Sequence, residues 1–160
     1  MTLSPRHERM PSTELKPEIC SCLALRQAAR VVTQLYDQHL AASGLRTTQY
    51  SILARLDRLG PQTINSLAAE LVMDRTTLGR NILPLERDGL VRIRQNAADA
   101  RSRDLELSAK GAKRLRAARA RWLEAQKSFD AAFGENAAEF RSLLKSVVTS
   151  TLGATAQADE

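Results

Sequence analysis

The chain has 160 residues and 43% hydrophobic content, enough for one core and at most one domain with an extension. A formal net charge of +6 suggests a polyanionic partner. No run of about 18 apolar residues occurs, so no helical membrane span is expected and the protein is expected in the cytoplasm. Two cysteines make no disulfide framework, and His7 and His39 lack metal-ligand or catalytic spacing, so neither a metal, a cofactor nor an enzyme is expected.

Residues 1–17 are polar, carry Pro5 and Pro11, lack an apolar signal core, and are expected to form a tail. From Glu18 to Ala42, apolar residues at Ile19, Cys22, Leu25, Ala29, Val32, Tyr36 and Leu40 give helical spacing with a wide apolar face. Gly44 closes that helix. A second helix is expected after Thr47, read as its N-cap, and runs to about Leu59 before the Gly60-Pro61 break. Asn65 is the candidate cap of a third helix that ends at Leu71.

Val72-Met73-Asp74 has room only for a tight turn. The fourth helix, Arg75 to Arg87, is capped by Asp74, carries the apolar stripe Leu78, Ile82 and Leu85, and stops at Gly89. Pro84 lies inside it, against the usual preference. Leu90–Arg94 and Arg103–Leu107 alternate as strands around a polar loop, residues 95–102. Ser108 caps a fifth helix to about Phe129, Phe133-Gly134 marks a bend, and Ala137–Leu152 forms the last helix; residues 153–160 fray.

This order is mostly α with a small β-hairpin wing, a winged helix-turn-helix, which is a module for duplex DNA. One domain spans residues 18–152. Its DNA-binding part is 47–108, and the flanking helices, 18–42 and 109–152, are read as dimerisation helices because their apolar faces are too wide for so small a core and a helix-turn-helix usually needs two half-sites; the other reading is that they complete a monomeric core. Trp122 and Phe129 are expected at the C-terminal interface.

The second helix of such a motif turns its N-terminal part toward base edges. Arg75, Thr76, Thr77, Arg80 and Asn81 fall there. Arg80 suits a bidentate contact to guanine, Asn81 one to adenine, and the threonines suit phosphates or a thymine methyl. Arg101 at the wing tip suits a narrow minor groove, with Asp99 and Arg103 flanking it. Arg92 and Arg94 are either phosphate contacts or merely exposed.

Thr47-Thr48-Gln49-Tyr50, Gly60-Pro61, Leu67-Ala68, Asp74-Arg75-Thr76-Thr77-Leu78, Leu85–Val91, Asp99-Ala100-Arg101-Ser102-Arg103 and Leu107–Gly111 together resemble the MarR family of bacterial transcriptional regulators. The resemblance covers roughly Cys20 to Leu115. It implies an obligate homodimer of triangular outline on a palindromic DNA operator, usually a repressor relieved by a small molecule or by oxidation. It implies DNA contact by Arg75, Thr76, Thr77, Arg80, Asn81 and Arg101. The inducer does not transfer.

Cys20 and Cys22 open the first helix, where the N-terminus favours the reactive thiolate. Cys22 followed fourteen residues later by Tyr36, with Arg30 and Thr33 between, is similar to the organic-peroxide-sensing branch of the family; Arg26 stands where that branch commonly has a second tyrosine. The other reading of Cys22 is a small buried hydrophobe. Two helical residues two apart point about 200° from each other, which disfavours a disulfide between them. A ligand pocket is the other signal mode, with Arg26, Tyr36 and His39 as candidate lining residues, alongside Tyr50, and a small aromatic molecule or an oxidant as effector. A protein-binding winged helix, and an activator or nucleoid-type binder, are the rival readings.

Overall fold

The computed structural model describes residues 20–96 and 102–150. Its elements run α1 (Ser21–Leu40), a short 3-10 turn (Ala41–Ser43), α2 (Thr47–Leu59), β1 (Gln62–Thr63), α3 (Ile64–Leu71), α4 (Arg75–Arg87), β2 (Val91–Gln95), β3 (Arg103–Leu107), α5 (Ala109–Phe133) and α6 (Asn136–Thr149). Residues 1–19, 97–101 and 151–160, and with them the expected tails and the wing tip, lie outside the described residues.

Three caps differ from expectation, each for a local reason. Cys20 precedes α1 with extended backbone and its Sγ accepts from Leu23 N–H at 3.4 Å, so it is a cap rather than a helical residue. The 200° separation expected of two helical cysteines therefore does not apply. Thr47 is not a cap either: its N–H and hydroxyl both donate to Asp37 Oδ1 at 2.7 Å, so a carboxylate from α1 serves the positive end of α2. Thr63, not Asn65, caps α3, accepting from Ser66 N–H at 3.1 Å. Asp74 and Ser108 cap α4 and α5 as expected.

β1, too short to be read from sequence, completes a three-stranded antiparallel sheet in the order β1-β3-β2. Val91 pairs with Leu107, Ile93 with Leu105 and Gln95 with Arg103. Since side chains alternate along a strand, these pairs share one face, and Arg92, Arg94, Asp104 and Glu106 share the other.

The core is built from α2, α3, α4 and the sheet. Leu53, Leu67, Leu78 and Leu85 are fully buried there. Pro84 stays in α4 because Leu85 continues the stripe and the helix ends three residues later. The α4–β2 junction is locked onto α5. Ser108 Oγ donates to Gly89 C=O at 2.7 Å, Ser108 N–H to Leu90 C=O at 3.0 Å, and Lys110 Nζ to Asp88 C=O at 2.7 Å. Gly111 permits this approach: a Cβ there would sit 2.1 Å from the Leu90 carbonyl oxygen. α5 then runs back along α1, and the 3-10 turn between α1 and α2 is held by Arg114, which donates to Ser43 C=O at 3.0 Å. Gly44 follows that turn with φ +69, in the left-handed region. Among the described residues no helix is long and apolar enough to cross a membrane.

Candidate nucleic-acid interface and effector cleft

α3, the turn Val72-Met73-Asp74 and α4 form the helix-turn-helix. The turn closes through Val72, at φ 52, and through Met73 N–H donating to Ala68 C=O at 2.9 Å. Asp74 Oδ1 accepts from Thr77 N–H at 2.7 Å, and hydrogen bonds from Thr77 hold its carboxyl below the ordinary carboxylate range.

Leu78, Ile82 and Leu85 face the core, so the opposite side of α4 carries Thr76, Arg80, Leu83 and Arg87 at three- and four-residue steps. Thr76, Thr77 and Arg80 are exposed. Asn81 is different. It lies three residues from Leu78 and four from Leu85, is half-buried, and its Nδ2 donates to Thr77 C=O at 2.8 Å. Its amide is turned onto its own helix, beside the apolar stripe, as its spacing to Leu78 and Leu85 foreshadows.

Arg75 and Arg103 come together. They line one concavity of about 450 Å³ with Thr63, Asn65, Ser102 and Ile93, between the start of α4 and the first strand residue after the wing. No described carboxylate lies within 4.0 Å of Arg75, Arg80 or Arg103, whereas Arg55 and Arg58 both pair with Glu70. Arg94 pairs with Glu106 at 3.0 Å on the opposite face of the sheet from Arg103, and Arg92 shares that face. Arg101 and Asp99 lie outside the described residues.

A second concavity, about 470 Å³, opens between α1, α2, α5 and α6. Trp122, Phe129 and Phe140 supply aromatic walls, and Tyr36, Gln126 and Arg141 its polar groups. Tyr36 OH donates to Gln126 Oε1 at 2.8 Å, Gln126 Nε2 donates to Asp130 Oδ1 at 3.2 Å, and Arg141 binds the same oxygen from α6. Desolvation first, then the Asp130 carboxylate, push the Tyr36 phenol above its ordinary range, against an opposing effect of Arg141, so it stays a donor at neutral pH.

Of the sequence candidates, only Tyr36 lines this cleft. Arg26 is exposed outside it, and His39 is half-buried against α5, with Nε2 3.3 Å from Ser128 Oγ and Nδ1 4.0 Å from Glu124. Tyr50 stacks on Trp122 with ring centroids 5.9 Å apart. Trp122 and Phe129, expected at an interface, pack inside the chain, Phe129 against Phe133 and Phe140. Cys20 and Cys22 are free and exposed, so Cys22 is not a buried hydrophobe among the described residues. Fourteen helical residues separate Cys22 from Tyr36 by about 21 Å, and the two do not meet within one chain.

A helix-turn-helix, an antiparallel wing and arginines with no carboxylate partner among the described residues define the class, a winged-helix DNA-binding module. The sequence profile of the MarR family matches residues 45–102. The M. tuberculosis transcriptional regulator MosR, solved in complex with DNA, is 38% identical across 88% of this chain and 98% of its own, with a TM-score of 0.73. A probable transcriptional regulator from Pseudomonas aeruginosa is 27% identical over 81% of this chain and 98% of its own, with a TM-score of 0.74. PcaV from Streptomyces coelicolor, solved with its natural ligand, shares the fold at 19% identity, covering 86% of this chain and 97% of its own, with a TM-score of 0.76. No curated protein sequence matches the chain. The chain belongs to the MarR family of transcriptional regulators.

Proposed function

We propose that the protein is a homodimeric repressor of a palindromic DNA operator, released by a small-molecule ligand in the α1–α2–α5–α6 cleft. The carrying observation is the convergence of Arg75 and Arg103 on one concavity beside the outward stripe of α4. In this reading Arg80 and Thr76 meet base edges in the major groove, Thr77, Arg75 and Arg103 hold phosphates, and Arg101 enters the neighbouring minor groove. Asn81 is withdrawn from base reading by its bond to Thr77. A two-fold dimer brings the two α4 helices to half-sites about 10 base pairs apart. The test is binding of the full chain to its promoter fragment. Arg80→Ala relaxes preference at one base position by roughly 1–3 kcal/mol, and about 8 neutralised phosphates give a log–log salt slope near −7. Unchanged specificity with a flat salt dependence rejects the reading.

The ligand half rests on a cleft with three aromatic walls and a phenol donor. Trp122 is the single tryptophan of the chain and lines this cleft, so its fluorescence reports occupancy. A panel of monocyclic phenols and aromatic acids is titrated against the protein–DNA complex. Release of DNA at the concentration that quenches Trp122 supports the cleft; release without any change in Trp122 rejects it.

A second reading is thiol-based, favoured by the exposure of both thiols at the N-terminus of α1. The Cys22 thiolate attacks the distal oxygen of an organic hydroperoxide, giving a sulfenic acid and the alcohol, and excess dithiol restores the thiol with loss of water. Hydroperoxide then releases wild-type protein from DNA reversibly and leaves Cys22→Ser bound. Equal retention of both on DNA removes this reading.

A further inference from the structure

The large apolar side chains left exposed are distributed unevenly. Among the described residues most lie on α1, α5 and α6; outside those helices there are only Leu59, Val72 and Leu83, and Leu83 is the most exposed of the three at 63%. Leu83 sits in the C-terminal half of α4, one turn beyond Arg80, on the side opposite Leu78, Ile82 and Leu85. A polar residue there would be solvated at no penalty, whereas leucine leaves its isobutyl group in water unless something apolar meets it. The major groove offers one apolar group on its base edges, the C5-methyl of thymine.

We infer that Leu83 is a specificity-determining residue that packs on a thymine methyl in the operator. Three residues separate it from Arg80, about 4.5 Å along the helix axis, so its thymine lies one or two base pairs from the base pair that Arg80 reads. The inference rests on the proposed placement of α4 in the major groove. It adds a contact that hydrogen-bond reasoning overlooks, because Leu83 has no donor or acceptor.

The test starts from a duplex that the full-length protein selects from a randomised library. Each thymine is replaced singly by deoxyuridine, which removes the methyl and keeps every hydrogen-bonding group. One thymine per half-site is expected to lose wild-type affinity by about fourfold, the worth of burying one methyl group. The same replacement changes Leu83→Ala binding by less than about twofold, while Leu83→Met retains most of the discrimination. Because Leu83 is outside the core, the alanine variant keeps its melting temperature, which is checked in parallel.

Two failures are distinguishable. If Arg80→Ala loses its base preference but no thymine responds differently in wild type and Leu83→Ala, the methyl contact is overturned and the α4 reading stands. If neither variant alters any base preference, α4 is not the reading helix and both fall.

Discussion

The DNA-binding lobe and the terminal helices bury their apolar residues very differently. In the lobe, Leu67, Leu78, Leu85 and Val91 are at most 1% exposed. Along α1, every residue from Ser21 to Val31 is exposed, including Leu23, Leu25 and Val31, and α6 leaves Leu143, Leu144, Val147 and Val148 in solvent. One chain therefore completes the core of its lobe but not the faces of its outer helices. Apolar patches of that kind mark an interaction surface. The proposed two-fold dimer would seat a second copy on these faces.

The sharpest way to break this contrast is to charge the outer face. Val147→Asp with Val148→Asp is expected to weaken dimerisation by roughly 4 kcal/mol, about a thousandfold, while thermal unfolding of the lobe stays in place. Analytical ultracentrifugation across a concentration series reads the first and calorimetry the second; a sedimentation profile matching wild type would separate α6 from the interface.

Gly111→Ala attacks the other side of the comparison. Its Cβ meets the backbone of Leu90, which cannot swing away as a side chain can, so a loss of about 3 kcal/mol in chemical denaturation is expected. A smaller loss than a surface Gly→Ala elsewhere would mean that the joint between α4 and α5 is soft.

Tyr36→Phe tests a tie within the terminal helices, between α1 and α5. It removes the donor to Gln126 and should lower stability by about 1 kcal/mol, and it should weaken any ligand that quenches Trp122. Unaltered ligand titrations would place the binding groups elsewhere in the cleft.

The smallest effect concerns acid. The Asp74 carboxyl is held below its ordinary range in the folded lobe, so its contribution is present above the unfolded-state pKa and is lost as pH falls through the depressed one. Asp74→Asn removes that part of the acid dependence of unfolding; identical acid profiles for the two proteins would show that the cap does not report on folding.

The helix-turn-helix was readable because its signals are local. Asp74 and Ser108 cap helices that follow within the same few residues, and the Leu78–Ile82–Leu85 stripe declares which side of α4 is buried. Asn81 was legible in principle from its spacing to that stripe. β1 and the Asp37 cap on α2 were not, since each depends on a partner about ten or more residues away.

The amino-acid sequence by itself determined the order of the helices and the wing hairpin, the family and the arginines of α4, because periodicity, caps and turns act over a few residues. Tertiary structure decided which residues share a site. It put Arg75 and Arg103 on one concavity between α4 and β3, separated Arg92 and Arg94 from Arg103 by strand alternation, drew Trp122 and Phe129 inward beside Tyr36, and left His39 against α5. Contacts between elements depend on how helices and strands pack, and that packing arises from the burial of many side chains at once rather than from any short segment.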